Sequence, residues 1–142
     1  MPTKKADAIW KGDLKSGMGT MKLESGAYEG SYTFASRFEN GDGTNPEELI
    51  GAAHAGCFAM AFSNELASAG FTPNSMNVHA DVTLDTTDNG PAITTIKLTA
   101  KGDVPNIENE QFQEIAEAAK KGCPVSKALA GVDIELDATL EN

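Results

Sequence analysis

Basic residues are scarce in this sequence: 11 Lys and Arg stand against 21 Asp and Glu, for a formal net charge of −10. A phosphate-binding surface needs clustered Lys and Arg. Their scarcity excludes nucleic acid and an anionic membrane surface as partners. Long apolar runs are missing too. Nothing approaches the roughly 18 residues that span a bilayer. The start, Met1 to Asp7, is polar and holds no signal-peptide core, so the expected location is the cytoplasm. There are only two His and two Cys. Two thiols make neither a C-x-x-C motif nor a zinc site, and neither His shares a loop with a Cys at ligand spacing. No metal and no cofactor are expected. Internal repeats, low-complexity tracts and linkers are absent as well.

What is present fits one domain over residues 1–142, with 40% hydrophobic and 23% charged residues, as in an ordinary soluble protein. Residues 6–38 read as short strands divided by glycine turns. Tyr28, Tyr32, Phe34 and Phe38 share one parity, which predicts a strand with one apolar face and Arg37 on the other. Asn40 to Thr44 reads as a loop. Asn45-Pro46-Glu47-Glu48 is a helix start, with Asn45 as N-cap, Pro46 at the first position and Glu48 where a capping-box acid belongs. The helix should run to about Ala69 and stop at Gly70. It is apolar nearly all round, which predicts burial all round, and Gly51, Ala52, Ala55 and Gly56 invite close packing. A second copy of the chain would supply the cover that one small chain lacks.

Met76, Val78, Ala80, Val82 and Leu84 alternate, as do Ile96, Leu98 and Ala100 after the Asp88-Asn89-Gly90 turn, so this stretch reads as a hairpin. A helix follows over about 109–121, burying Phe112, Ile115, Ala116 and Ala119. Pro124 opens a short helix, and Val132 to Leu140 alternate as a last strand. The order gives an α+β fold with a mainly antiparallel sheet.

Cys57 and Cys123 stand 66 residues apart. In a reducing compartment such a pair is more often catalytic or redox-sensing than a structural staple. Cys57 lies mid-helix, where a buried Cys commonly serves as a small hydrophobe. Cys123 precedes Pro124 at a helix N-cap, where the dipole and free N–H groups favour a thiolate. Local chemistry alone makes Cys123 the better nucleophile. Arg37 is the one arginine. Its bland role is an exposed charge; its functional role is a planar fork that no Lys can copy. Glu47 either complements the helix dipole or clamps Arg37. It lies ten residues before Cys57, roughly 15 Å along a regular helix. His54, three residues before Cys57, is a candidate base, although a satisfied core histidine is the commoner case. His79 reads as exposed.

These residues carry a resemblance. Asn45-Pro46-Glu47-Glu48-Leu49-Ile50-Gly51-Ala52-Ala53-His54-Ala55-Gly56-Cys57-Phe58, together with Gly122-Cys123-Pro124-Val125-Ser126, is similar to the OsmC/Ohr family of thiol peroxidases. Arg37-Phe38-Glu39 and His54 resemble the OsmC branch. The resemblance implies an intertwined homodimer, with antiparallel sheet wrapped around a long central helix. It implies Cys57 as peroxidatic and Cys123 as resolving cysteine, Arg37 as thiolate stabiliser and Glu47 as its acidic partner. The implied chemistry is a thiol peroxidase of oxidative and osmotic stress defence. Organic hydroperoxides would become alcohols through a Cys57 sulfenic acid and a Cys57–Cys123 disulfide, which a small dithiol or lipoyl-type reductant reopens. Leu49, His54 and Phe58, with Met60 and Phe62, supply apolar surroundings suited to an alkyl substrate. The rival readings are a non-redox dimer binding an apolar ligand, and a Cys57/His54 hydrolase, which lacks a residue to orient His54.

Overall fold

The computed structural model describes residues 1–141. The chain forms two compact units, Met1–Leu49 and Ile50 onward. In the first, β1 (Ala6–Lys11), β2 (Met18–Leu23) and β3 (Glu29–Tyr32) make an antiparallel sheet in that order. The strand expected to reach Phe38 ends at Tyr32, and α1 (Phe34–Phe38) follows. Thr33 decides this. Its hydroxyl accepts from the Ser36 N–H at 3.1 Å while the Thr33 N–H donates to the Ser36 hydroxyl at 2.8 Å, a reciprocal cap that starts a helix. Phe34 and Phe38 are four apart, a spacing that puts two residues on one face of a helix as well as of a strand. Their rings meet at 4.8 Å.

The long helix α2 (Pro46–Ser68) starts and stops where the sequence said. The Glu48 N–H donates to Asn45 Oδ1 at 2.7 Å. The Glu48 carboxylate does not return to the N-cap backbone; it accepts from the Thr44 hydroxyl at 2.8 Å. Gly70 at φ 95° ends the helix in a conformation that favours glycine.

In the second unit, β4 (Ser75–Thr87) pairs antiparallel with β5 (Gly90–Asp103), with a register shift at Thr83/Leu84. Helices α3 (Asn109–Gly122) and α4 (Pro124–Ala128) lead to β6 (Asp133–Leu140). That last strand runs parallel to β5, from Thr95↔Asp133 to Gly102↔Leu140. The sheet is therefore mixed. Alternation reports which face a strand buries and carries no information on its direction.

The core joins Phe58, Phe62 and Leu66 of α2 to Ile96, Leu98 and Ala100 of β5 and Phe112, Ala116 and Ala119 of α3. Each phenylalanine buried there contributes about 1.5–3 kcal/mol. Phe62 touches Phe58 and Phe112 at centroid distances of 5.5 and 5.0 Å. Gly51 admits β4: a Cβ there would stand 3.3 Å from Val82 Cγ2, whereas one on Gly56 would meet nothing within 4 Å. The expectation of burial all round α2 is not met within one chain. His54, Phe58, Phe62 and Leu66 are buried, while Ala52, Ala53 and Gly56 are exposed and Met60 is 77% exposed. A single chain offers this helix one wall of cover.

Candidate active site

In the first unit, α1 carries Arg37 and the first turn of α2 carries Glu47. Arg37 Nε donates to Glu47 Oε1 at 3.1 Å and Nη2 to Oε2 at 3.0 Å. This is the two-pronged pair that only a guanidinium makes. The Glu47 side chain is 9% exposed and that of Arg37 35%. Ser36 braces the arrangement, its hydroxyl donating to the Thr44 carbonyl at 2.7 Å, and Asn45 Nδ2 donates to the Ser36 carbonyl at 3.0 Å. The clamp offered by the sequence as one of two roles for Glu47 is present as a contact, although Arg37 lies on a helix and not on the expected strand. Beside Arg37 lies a hollow of about 220 Å³ lined by Trp10, Tyr32, Phe34 and Phe38. Sequence reading missed it, because its aromatic side chains come from two strands and a helix that had been read as strand.

In the second unit, Cys57 on α2 and Cys123, at the junction of α3 and α4, bring their sulfurs to 3.0 Å. Both are free thiols. Cys123 is fully buried and Cys57 only partly. Burial pushes the Cys57 thiol up, and the adjacent Cys123 sulfur adds to this; a backbone N–H from Val125 offsets part of it. Burial also opposes charge on Cys123. There it is outweighed by hydrogen bonds from Cys57, from the Ser126 N–H and hydroxyl and from the Val125 N–H, so the Cys123 thiol falls below its usual range. The donors around Cys123 make it the more acidic of the two thiols, while the Cys123 thiol is also within reach to donate to Cys57.

His54 is wholly buried, with Nε2 2.8 Å from the Ser126 hydroxyl oxygen. Burial lowers its pKa, so the ring is neutral. Of the residues expected to line a substrate, Phe58 is fully buried in the core and Leu49 is half-buried. His79 is exposed and faces Asp81 at 3.0 Å. Among the described residues, no three His, Cys, Asp or Glu cluster as a metal site, and no helix is long and apolar enough to cross a membrane.

Residues 39–137 match the family model described as OsmC-like protein. The chain belongs to the OsmC family. It is 51% identical over 140 residues to the peroxiredoxin OsmC of Escherichia coli, covering 98% of this chain and 97% of that one. It is 33% identical over 107 residues to an organic hydroperoxide resistance protein-like 2 of Staphylococcus epidermidis, covering 72% of each. Among solved structures, an OsmC-like protein of Mycoplasma pneumoniae matches with TM-score 0.76 and 19% identity over 99% of both chains. An organic hydroperoxide resistance protein of Elizabethkingia anophelis matches with TM-score 0.74 and 27% identity, over 99% of this chain and 98% of that one. The α+β fold is that of the OsmC/Ohr structures.

Proposed function

We propose that this OsmC-family chain is a cysteine-based peroxidase that reduces organic hydroperoxides with Cys57 and Cys123. The observation that carries the reading is the 3.0 Å approach of two free thiols distant in sequence. A disulfide needs about 2.05 Å, so roughly 1 Å of further approach closes the bond. Partial exposure supports attack by Cys57, since the fully buried Cys123 offers a peroxide no path. It favours the family resemblance, with Cys57 as the attacking group, over the local chemistry that makes Cys123 the better thiolate.

As Cys57 attacks the terminal peroxide oxygen, its proton passes to the Cys123 sulfur beside it. The O–O bond breaks, the departing alkoxide takes that proton and leaves as alcohol, and Cys57 becomes a sulfenic acid. The Cys123 thiolate then attacks the Cys57 sulfur and expels hydroxide. A small dithiol or lipoyl-type reductant returns two electrons by exchange and restores both thiols. Arg37 and Glu47 take the roles that the family resemblance gives them, thiolate stabiliser and its clamp. The aromatic hollow beside Arg37 suits an alkyl group better than a small polar peroxide. A cytoplasmic role in oxidative and osmotic stress defence fits a pair of free thiols.

The exposed face of α2 supports a homodimer, with Met60 and the small residues around it covered by a second copy. Sedimentation at micromolar concentration should give twice the 14.9 kDa chain mass. The function itself is tested by thiol titration before and after one equivalent of an alkyl hydroperoxide. Two thiols lost per chain are expected, and unreacted thiols would refute the reading.

A further inference from the structure

A disulfide closed between Cys57 and Cys123 has to be opened again, and its two sulfurs are not equally open to attack. Cys123 is 0% exposed and belongs to the buried core with Phe58, Phe62 and Phe112. Cys57 is partly exposed and packs against the margin of that core. Bringing the sulfurs from 3.0 Å to a disulfide's 2.05 Å or so moves each by about half an ångström, too little to uncover Cys123. Thiol–disulfide exchange brings the incoming sulfur in line with the bond that breaks, so a nucleophile reaches the sulfur whose outer side is open. Here that sulfur is Cys57. The leaving group favours the same choice. The Cys123 thiol lies below its usual range and that of Cys57 above it, and the more acidic thiol departs more readily.

We propose that Cys57 is the port for both halves of the cycle: the reductant attacks the Cys57 sulfur, and the buried Cys123 meets neither peroxide nor reductant. The proposal rests on the thiol-pair reading and adds to it the sulfur on which reduction begins. The first thiolate of a small dithiol bonds to Cys57 Sγ. The Cys57–Cys123 bond breaks, and its electron pair leaves on Cys123. The second thiol of the reductant then loses its proton and attacks its own partner sulfur in the mixed disulfide. That closes the reductant's disulfide and releases Cys57 as a thiolate. Two electrons pass from the dithiol to the protein, and its two protons end on Cys57 and Cys123.

The test uses single-cysteine chains and dithiodipyridine, a small neutral disulfide. Exchange is reversible, so the sulfur that carries the mixed disulfide is the same in both directions. Cys123→Ser, which leaves Cys57, should release its one equivalent of thiopyridone faster than Cys57→Ser, which leaves Cys123, by about tenfold or more. Acidity alone favours the opposite order, because the more acidic Cys123 carries more thiolate at neutral pH. In denaturant, where burial is gone, the two variants should react alike. A Cys57→Ser chain that reacts as fast as Cys123→Ser overturns the proposal, and so does a rate gap that survives denaturation. The reductive direction gives a second readout that needs no variant. The parent is oxidised to its internal disulfide with diamide, exposed to the monothiol cysteamine and quenched with acid at intervals. Peptide mass mapping should place the cysteamine adduct on Cys57; an adduct on Cys123 overturns the proposal. Neither experiment uses a peroxide. An adduct on Cys57 in a chain that consumes no hydroperoxide would keep the port and remove the peroxidase reading; an adduct on Cys123 in an active peroxidase would do the reverse.

Discussion

Arg37 and Glu47 meet as two full charges in a fixed fork, whereas Cys57 and Cys123 meet as two free thiols 3.0 Å apart. The first pair is open to solvent on the arginine side, where the Arg37 side chain is 35% exposed. Its value is geometric: two parallel bonds set the plane of the guanidinium. In the second pair burial opposes charge on both sulfurs, and the Cys123 thiol falls below its usual range while that of Cys57 rises above it. An ion pair of this kind fixes its partners, whereas the charge on a thiol changes with a single proton.

Substitution at the thiols breaks the comparison most severely. Cys57→Ser should reduce steady-state hydroperoxide consumption to background, because Cys123 is fully buried and cannot substitute as the attacking sulfur. Turnover at the parent rate would remove Cys57 from the chemistry. Cys123→Ser should still allow one oxidation at Cys57. With no thiolate 3.0 Å away, the sulfenic acid should then climb to sulfinic acid under excess peroxide. Intact mass distinguishes the outcomes, since the disulfide loses two hydrogens and over-oxidation adds oxygens. A Cys123→Ser protein with no first oxidation would make Cys123 the attacking thiol.

At Arg37 the effect should be smaller and separable into charge and geometry. If the resemblance assigns its role correctly, Arg37→Ala raises the pH midpoint of Cys57 alkylation by about one unit, for roughly tenfold less turnover at neutral pH. Arg37→Lys should fall between, keeping the charge and losing the fork. An unchanged Ala variant would confine Arg37 to holding Glu47. Stability gives the control. Leaving the Glu47 side chain, 9% exposed, without its partner should cost about 1 kcal/mol in urea unfolding, a figure kept low because Arg37 is itself partly solvated.

How much of this was legible depends on whether the deciding contact is local. The start of α2 was readable because Asn45, Pro46 and the Asn45–Glu48 hydrogen bond lie within one turn. The Arg37–Glu47 contact was one of two readings left open for each residue, since an exposed charge and a helix-dipole complement explain the same sequence. Its scaffold was not readable, because Phe34 and Phe38 satisfy both periodicities and the arbiter, the Thr33–Ser36 cap, was overlooked. The direction of β6 was hidden because Ile134, Leu136 and Ala138 alternate alike in parallel and antiparallel ladders. Ser126 lay inside the Gly122-Cys123-Pro124-Val125-Ser126 motif. Its meaning depends on a histidine 72 residues away, which no local pattern reports. The apolar girth of α2 was read correctly, but a single chain covers only one of its faces.

The subtlest test concerns His54, wholly buried with Nε2 2.8 Å from the Ser126 hydroxyl. Burial lowers its pKa in the folded chain, while in the unfolded chain it returns to about 6.5. Below that value the unfolded state binds a proton that the folded state refuses, so folding loses stability as pH falls through this range. The loss continues until the folded pKa is reached, at no more than about 1.4 kcal/mol per pH unit from this one group. His54→Gln keeps a hydrogen-bond donor and cannot titrate. Urea unfolding of both proteins, stepped from about pH 7 downward, should therefore show the parent losing more stability than the variant just below pH 6.5. Other groups titrate alike in both, so the difference curve isolates His54. The expected curve is flat above neutrality and slopes against the parent below it. A flat difference throughout would mean that the folded chain accepts the proton on His54 as readily as the unfolded one. A buried imidazolium would then stand beside the Ser126 hydroxyl, and the second unit would hold a full charge of its own, as the Arg37–Glu47 clamp does.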